Sequence, residues 1–156
     1  MLKIAQKSDY ALLIAVRLAE KGPEGRLSLE ELASNEGISQ GYLEEVAGLL
    51  RAAGIITGRR GAGGGYVLTR PAEAISLASI ITATEGGAWA TECIGGSSGK
   101  PANDGPKATN AKRAGSHQDL WRKVQGQIMT TLHGMTVADV MQAQVSHADT
   151  KEPARV

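Results

Sequence analysis

Two adjacent arginines, Arg59 and Arg60, are followed by Gly61, Gly63, Gly64 and Gly65 and then by the β-prone run Tyr66-Val67-Leu68-Thr69. A guanidinium is a permanent cation, and two of them on one short ribbon suit a phosphate backbone or a minor groove. A hairpin tip needs residues that tolerate positive φ, and a tip without Cβ atoms can come close to another surface. Ile55 and Ile56 begin the opposing strand. The stretch reads as a wing that carries cations to duplex DNA. A phosphate-cradling loop of a nucleotide enzyme is not supported, because no Gly-Lys-Ser/Thr follows the glycines and no G-x-G-x-x-G opens a helix.

The second candidate chemistry is nucleophilic, with Cys93 as thiolate and His117 as base. Such a pair needs a third orienting group and a pocket that excludes water. The run from Gly95 to Ser116 contains no large apolar residue and offers neither, so an enzyme is not expected. A protein-interaction module that uses the same fold without DNA is the remaining class, and salt-dependent affinity for duplex DNA separates the two.

The elements that must position the arginines lie just before them. Ser28-Leu-Glu-Glu31 is a capping box, in which Ser28 and Glu31 satisfy each other's helix-end amides, and it starts a short helix with Leu29, Leu32 and Ala33 inward. Gly37 closes that helix. Ser39 caps a longer one, in which Leu43, Val46, Ala47, Leu50 and Ala53 form one stripe at three- and four-residue spacing. Gly54 is the C-terminal glycine before the hairpin. A short helix, a glycine turn, a longer helix and a glycine-tipped hairpin make a winged helix-turn-helix. The polar start of the longer helix, Ser39, Gln40 and Tyr42, is the part that helix-turn-helix proteins bring to base edges. The residues expected to meet DNA are Ser28, Ser39, Gln40, Tyr42, Arg59, Arg60, Gly63, Gly64 and Tyr66. Glu44 and Glu45 should face away from phosphate or accept from a cytosine amino group.

Upstream, Ser8 or Asp9 caps a helix that runs to about Lys21 and is apolar on nearly every face, as a central or partner-contacting helix would be. Downstream, Pro71 starts a helical segment with Ile75, Leu77, Ile80, Ile81 and Thr84 as its stripe, ending at Gly86-Gly87. Helix character returns from His117 to about Met135, with Leu120, Trp121, Val124, Ile128 and Leu132 as a seam that packs on another helix. Thr136 to Met141 caps and packs back, and a frayed tail follows about Val145. The fold expected is mainly α with a small β-hairpin wing and a long C-terminal dimerisation helix. Its divisions are a DNA-binding domain over 1–86, a loop over 87–116, a dimerisation helix and packing segment over 117–145, and a tail over 146–156. A second copy is implied because operators are usually read by two-fold pairs.

The formal net charge of +1 gives no overall basic field, so DNA contact must rest on local placement of charge. Two Trp, three Tyr and no Phe argue against a base-stacking single-strand binder. No apolar run is long enough to span a bilayer, and one Cys suits a reducing bacterial cytoplasm without a disulfide framework.

KSDYAL at 7–12, GISQGYLEEV at 37–46, RRGAGGGYVL at 59–68, ISLASIITATEG at 75–86 and the LW…TVADVM ending resemble the Rrf2 family of bacterial winged-helix transcription regulators. The resemblance runs over about residues 1–145. It implies a homodimer on an operator, responding to a cluster or another effector, with the long C-terminal helix as interface. Cluster-binding members carry three cysteines in the loop before that helix. Here Cys93 stands at the first such position, and Ala102 and Ala108 stand where many relatives have the others. The departure leaves a native member without a cluster, a member using non-Cys ligands, or one whose cysteines were replaced. For the second of these, Asp9 matches an acidic ligand position of the nitric-oxide-sensing relatives, and His117 lies near a histidine of others. Cys93, Asp9 and His117 are therefore the candidate ligands of an iron–sulfur cluster (2Fe-2S or 4Fe-4S), with no cofactor as the equal alternative.

Overall fold

The computed structural model describes residues 5–23, 25–61, 63–86 and 114–149, without the side chains of 114–119, 121–122 and 146–149. Helix α1 (Gln6–Glu20) is the centre of the packing, with Ala11, Ile14, Ala15, Val16 and Leu18 buried along it. Its N-cap is Ala5, not Ser8 or Asp9, and no side chain caps it. Ser8 is buried, where its hydroxyl donates to Glu85 Oε1 at 2.6 Å and shares a 2.6 Å hydrogen bond with Thr84 Oγ1. A buried hydroxyl takes the partners that remove its desolvation cost, and here they lie on a distant helix. Asp9 stays exposed in the first turn, where a carboxylate suits the positive helix end.

Helix α2 (Leu29–Glu36) starts at Ser28, whose Oγ accepts from Glu31 N–H at 3.5 Å. Only this half of the expected capping box forms among the described residues, because the Glu31 carboxylate lies 3.9 Å from Lys21 Nζ. Gly37 ends the helix at φ 66°. Arg17 of α1 reaches Glu36 Oε1 at 2.7 Å and ties the end of α2 to the central helix. Helix α3 (Gln40–Ala52) buries Leu43, Val46, Ala47 and Leu50. Ala53 is its C-cap and is exposed, so the stripe stops one residue short of the expected set. Gly54 at φ 69° donates to Arg51 O, and Ile55 donates to Leu50 O, both at 3.0 Å. This Schellman pair satisfies the last carbonyls of α3 and turns the chain directly into the wing.

Strand β1 (Ile56–Arg59) pairs antiparallel with β2 (Gly65–Leu68), Ile56 opposite Leu68 and Arg59 opposite Gly65. Leu27 adds a bridge on the far side of β2, donating to Tyr66 O at 3.1 Å and accepting from Tyr66 N–H at 3.0 Å. After Pro71 the chain makes a 3-10 turn (Ala72–Ala74) and then α4 (Leu77–Glu85), capped by Ser76. The segment expected as one helix is thus broken. Ile75 is extended and its carbonyl accepts from Val137 N–H at 3.0 Å, while Leu77 N–H donates to Met135 O at 2.9 Å. Ile75 and Val137 are both fully buried, so the break seats the C-terminal segment in the core.

Helix α5 (Ala114–Gly134) lies on α4, where Ile81 packs against Ile128, Met129 and Leu132. Helix α6 (Val137–Asp149) returns onto α1, adding Val137, Val140 and Met141 to the core, and continues past Val145, where a tail was expected. Its start is a reciprocal cap: Asp139 N–H donates to Thr136 Oγ1 at 3.3 Å, and the Asp139 carboxylate accepts from Thr136 N–H at 2.7 Å and from Thr136 Oγ1 at 2.8 Å. The backbone bond first, and the hydroxyl bond second, hold the Asp139 pKa below its ordinary value. A depressed folded pKa gives stability that is complete above the unfolded pKa and is lost as pH falls through the folded one. Asp139→Ala is therefore expected to lower Tm at pH 7, with the gap from the parent closing as the solution is acidified below the aspartate range. Thermal melts across pH check this, and a gap that does not depend on pH would contradict it.

Candidate nucleic-acid interface

Ser39 occupies the N-cap of α3 at φ −60° and ψ 125°, yet its hydroxyl makes no capping bond and stays exposed. One residue on, exposed Gln40 donates from Nε2 to Glu44 Oε1 at 2.9 Å. The bond holds the Gln40 amide along the helix and leaves its carbonyl oxygen as an acceptor beside a carboxylate. Glu44 thus stands with Gln40, and the pair offers acceptors of the kind that meet an exocyclic amino group in a major groove. Tyr42 behaves differently. It is half-buried, with its ring edge-on to Tyr10 of α1 at 5.5 Å and 81°.

The wing tip runs from Arg60 to Gly64, because Gly58 and Arg59 belong to β1. Gly61 at φ 110° and Gly63 at φ 72° adopt the left-handed backbone, and Gly64 N–H donates to Gly61 O at 2.8 Å. A Cβ on Gly64 would meet Arg59 O at 2.9 Å and Gly61 O at 3.0 Å, so this tight tip demands glycine. Arg59 and Arg60 are exposed and enter no ion pair among the described residues. Tyr66 is half-buried and packs against the core from β2, over Gly58.

Three segments that are distant in sequence meet at one cleft of about 310 Å³, lined by Ser28, Glu30, Gln40, Glu44, Gly64 and Tyr66 among others. The fold thus assembles the start of α2, the start of α3 and the wing on one side of the molecule. Glu30 and Glu44 put carboxylates in the lining of the cleft, and among the described residues no cation lines it. A larger cavity of about 480 Å³, between the end of α1, the turn after β2 and α6, touches none of the residues expected to meet DNA. Sequence reasoning missed Arg26, whose Nη1 donates to Gly63 O at 2.9 Å, and the Leu27 bridge beside it. A lone arginine before a capping serine carries no periodic signal that would have found it.

Of the residues expected to pair two copies, Leu120 is 55% exposed and Val124 is half-buried. Ile128 and Leu132 already pack on Ile81 within the chain, and the Trp121 side chain lies outside the described residues. Of the candidate cluster ligands, Asp9 is exposed on α1, while Cys93 and the His117 side chain lie outside the described residues. No three His, Cys, Asp or Glu side chains converge on a metal-sized site among the described residues. With a single cysteine in the chain, the donor set does not fit a cluster held by three thiolates. Among the described residues no helix is long and apolar enough to cross a membrane.

The comparisons with known proteins bear on the family and the fold. The model of the Rrf2 family, described as iron-dependent transcriptional regulators, matches residues 4–143. The HTH-type transcriptional regulator IscR of Erwinia tasmaniensis is 32% identical over 143 residues, 92% of this chain and 81% of that protein. Among solved structures, the global cysteine regulator CymR of B. subtilis superposes with a TM-score of 0.67 at 33% identity, over 92% of this chain and 98% of that one. IscR of T. potens superposes with a TM-score of 0.66 at 27% identity, over 99% and 94%. Fold and matches converge: the chain belongs to the Rrf2 family of winged-helix, DNA-binding transcription regulators.

Proposed function

We propose that the chain acts in the bacterial cytoplasm as a homodimeric regulator, in the main a repressor by operator occupancy, that grips a pseudo-palindromic duplex with the start of α3 and the wing of each copy. The observation that carries this is the meeting of Ser28, Gln40, Gly64 and Tyr66 at one cleft on the side of the wing, whose Arg59 and Arg60 are exposed and enter no ion pair among the described residues. Phosphate contacts by the wing set the register, and Ser39, Gln40 and Glu44 meet base edges. Residues 1–86 form the reading domain and α5 the pairing helix. Leu120, exposed on α5, supports pairing because a large apolar side chain in the open gains from a partner. The single cysteine supports a regulator that does not sense through a three-cysteine cluster. Its signal then arrives at Cys93, through a partner protein or as a small molecule.

Anaerobically purified protein is expected to sediment as a dimer, to carry no stoichiometric iron and sulfide, and to shift duplex operator DNA. Leu120→Asp is expected to sediment as a monomer and to lose at least tenfold in operator affinity, since each copy then holds one half-site. A dimer with the aspartate in place would remove α5 from the interface, and stoichiometric iron would restore cluster sensing through Cys93 and non-cysteine ligands.

A further inference from the structure

We infer that Arg26 is a positioning residue of the wing: by donating from Nη1 to the Gly63 carbonyl at 2.9 Å it fixes the glycine tip, and with it the direction of Arg59 and Arg60. The inference rests on the wing being the DNA contact and adds a residue outside both the helix-turn-helix and the hairpin. A tip containing Gly61, Gly63 and Gly64 has a large conformational freedom of its own. Inside the tip a single turn bond, Gly64 N–H to Gly61 O, opposes that freedom among the described residues. Arg26 is the tether from outside. It is well placed for the task, because the next residue, Leu27, is locked to Tyr66 of β2 by two main-chain bonds at 3.1 and 3.0 Å. The root of the arginine is therefore fixed against one strand of the wing while its guanidinium holds the tip. One of its five N–H donors is bound to Gly63 and the side chain is exposed, without an ion pair among the described residues. A wing held in place before DNA arrives does not have to be ordered on binding, so Arg26 contributes to affinity through Arg59 and Arg60.

A double-mutant cycle tests this, with a duplex operator selected by the parent protein from random-sequence DNA as the probe and fluorescence anisotropy at fixed salt as the readout. Arg26→Ala is expected to weaken binding about fivefold, the net size of one solvent-exposed hydrogen bond. In an Arg59→Ala/Arg60→Ala background the same change is expected to cost less than about twofold, because nothing remains for the strut to aim. Tm is expected to stay unchanged, while amide exchange at Gly63 and Gly64 becomes faster. A fivefold loss in both backgrounds would overturn the inference, since Arg26 would then act independently of the wing, and so would unchanged affinity with Arg26→Ala alone. If the Arg59→Ala/Arg60→Ala protein binds as tightly as the parent, the wing assignment itself fails, and that result is distinguishable from failure of the strut alone.

Discussion

Gly65→Ala is expected to lower folding stability by about 2–4 kcal/mol and to weaken operator binding at least tenfold. A Cβ at this position would lie 2.6 Å from Leu27 O and 3.0 Å from Leu27 C, and the backbone there has φ 155°. The obstacle is main chain, not the far end of a flexible side chain, so it cannot step aside. Leu27 is held to Tyr66 by two hydrogen bonds, and the clash can be relieved only by opening that bridge. Two lost bonds at about 0.5–1 kcal/mol each, with backbone strain of about 1–2 kcal/mol, give the stated range. The wing then leaves its seat against the segment before α2, and the arginines lose their aim. Gly61→Ala is the contrast. Its φ of 110° is equally foreign to alanine, but a Cβ there meets nothing within 4 Å, so it carries the strain alone, at about 1–2 kcal/mol. Urea unfolding and anisotropy on both variants check the pair. Equal stability losses would mean that the close approach to Leu27 is not what makes glycine necessary at 65.

Arg59→Ala/Arg60→Ala is expected to weaken operator binding about thirtyfold at 0.15 M salt while leaving the fold intact. Each phosphate contact contributes about 0.9 log units of affinity per tenfold dilution of salt, which near 0.15 M is about fivefold per contact. Both residues are exposed and support no other side chain among the described residues, so their removal leaves no buried group unpaired. The effect on stability is therefore small, and the loss falls on DNA. Because the formal net charge is only +1, no diffuse basic surface is available to compensate.

Much of this arrangement was legible along the chain because its signals are local. Ser28 as a cap, Gly37 and Gly54 as left-handed helix ends, the stripe of Leu43, Val46, Ala47 and Leu50, and the glycine-tipped hairpin each lie within a few residues of the feature they specify. What was not legible depends on partners far away in sequence. Ser8 looks like a cap until Thr84 and Glu85 are brought to it, and Pro71 to Glu85 looks like one helix until Val137 pairs with Ile75. The contact of the Tyr42 ring with Tyr10, 32 positions earlier, is of the same kind. In the interface itself, Arg59, Arg60 and the glycines were readable as a wing, whereas Arg26 and the Leu27 bridge were not, since single residues carry no period. Glu44, expected either to face away from phosphate or to accept from a base, takes a hydrogen bond from Gln40 four residues before it.

The most direct test is the salt dependence of binding to a duplex operator, measured by anisotropy for the parent and for Arg59→Ala/Arg60→Ala. If the wing delivers both cations to phosphates, the slope of log K against log salt becomes shallower by about 1.8 in the variant. A slope that does not change, with affinity intact, would mean that the wing does not touch DNA, and the cleft between α2, α3 and the hairpin would no longer account for recognition.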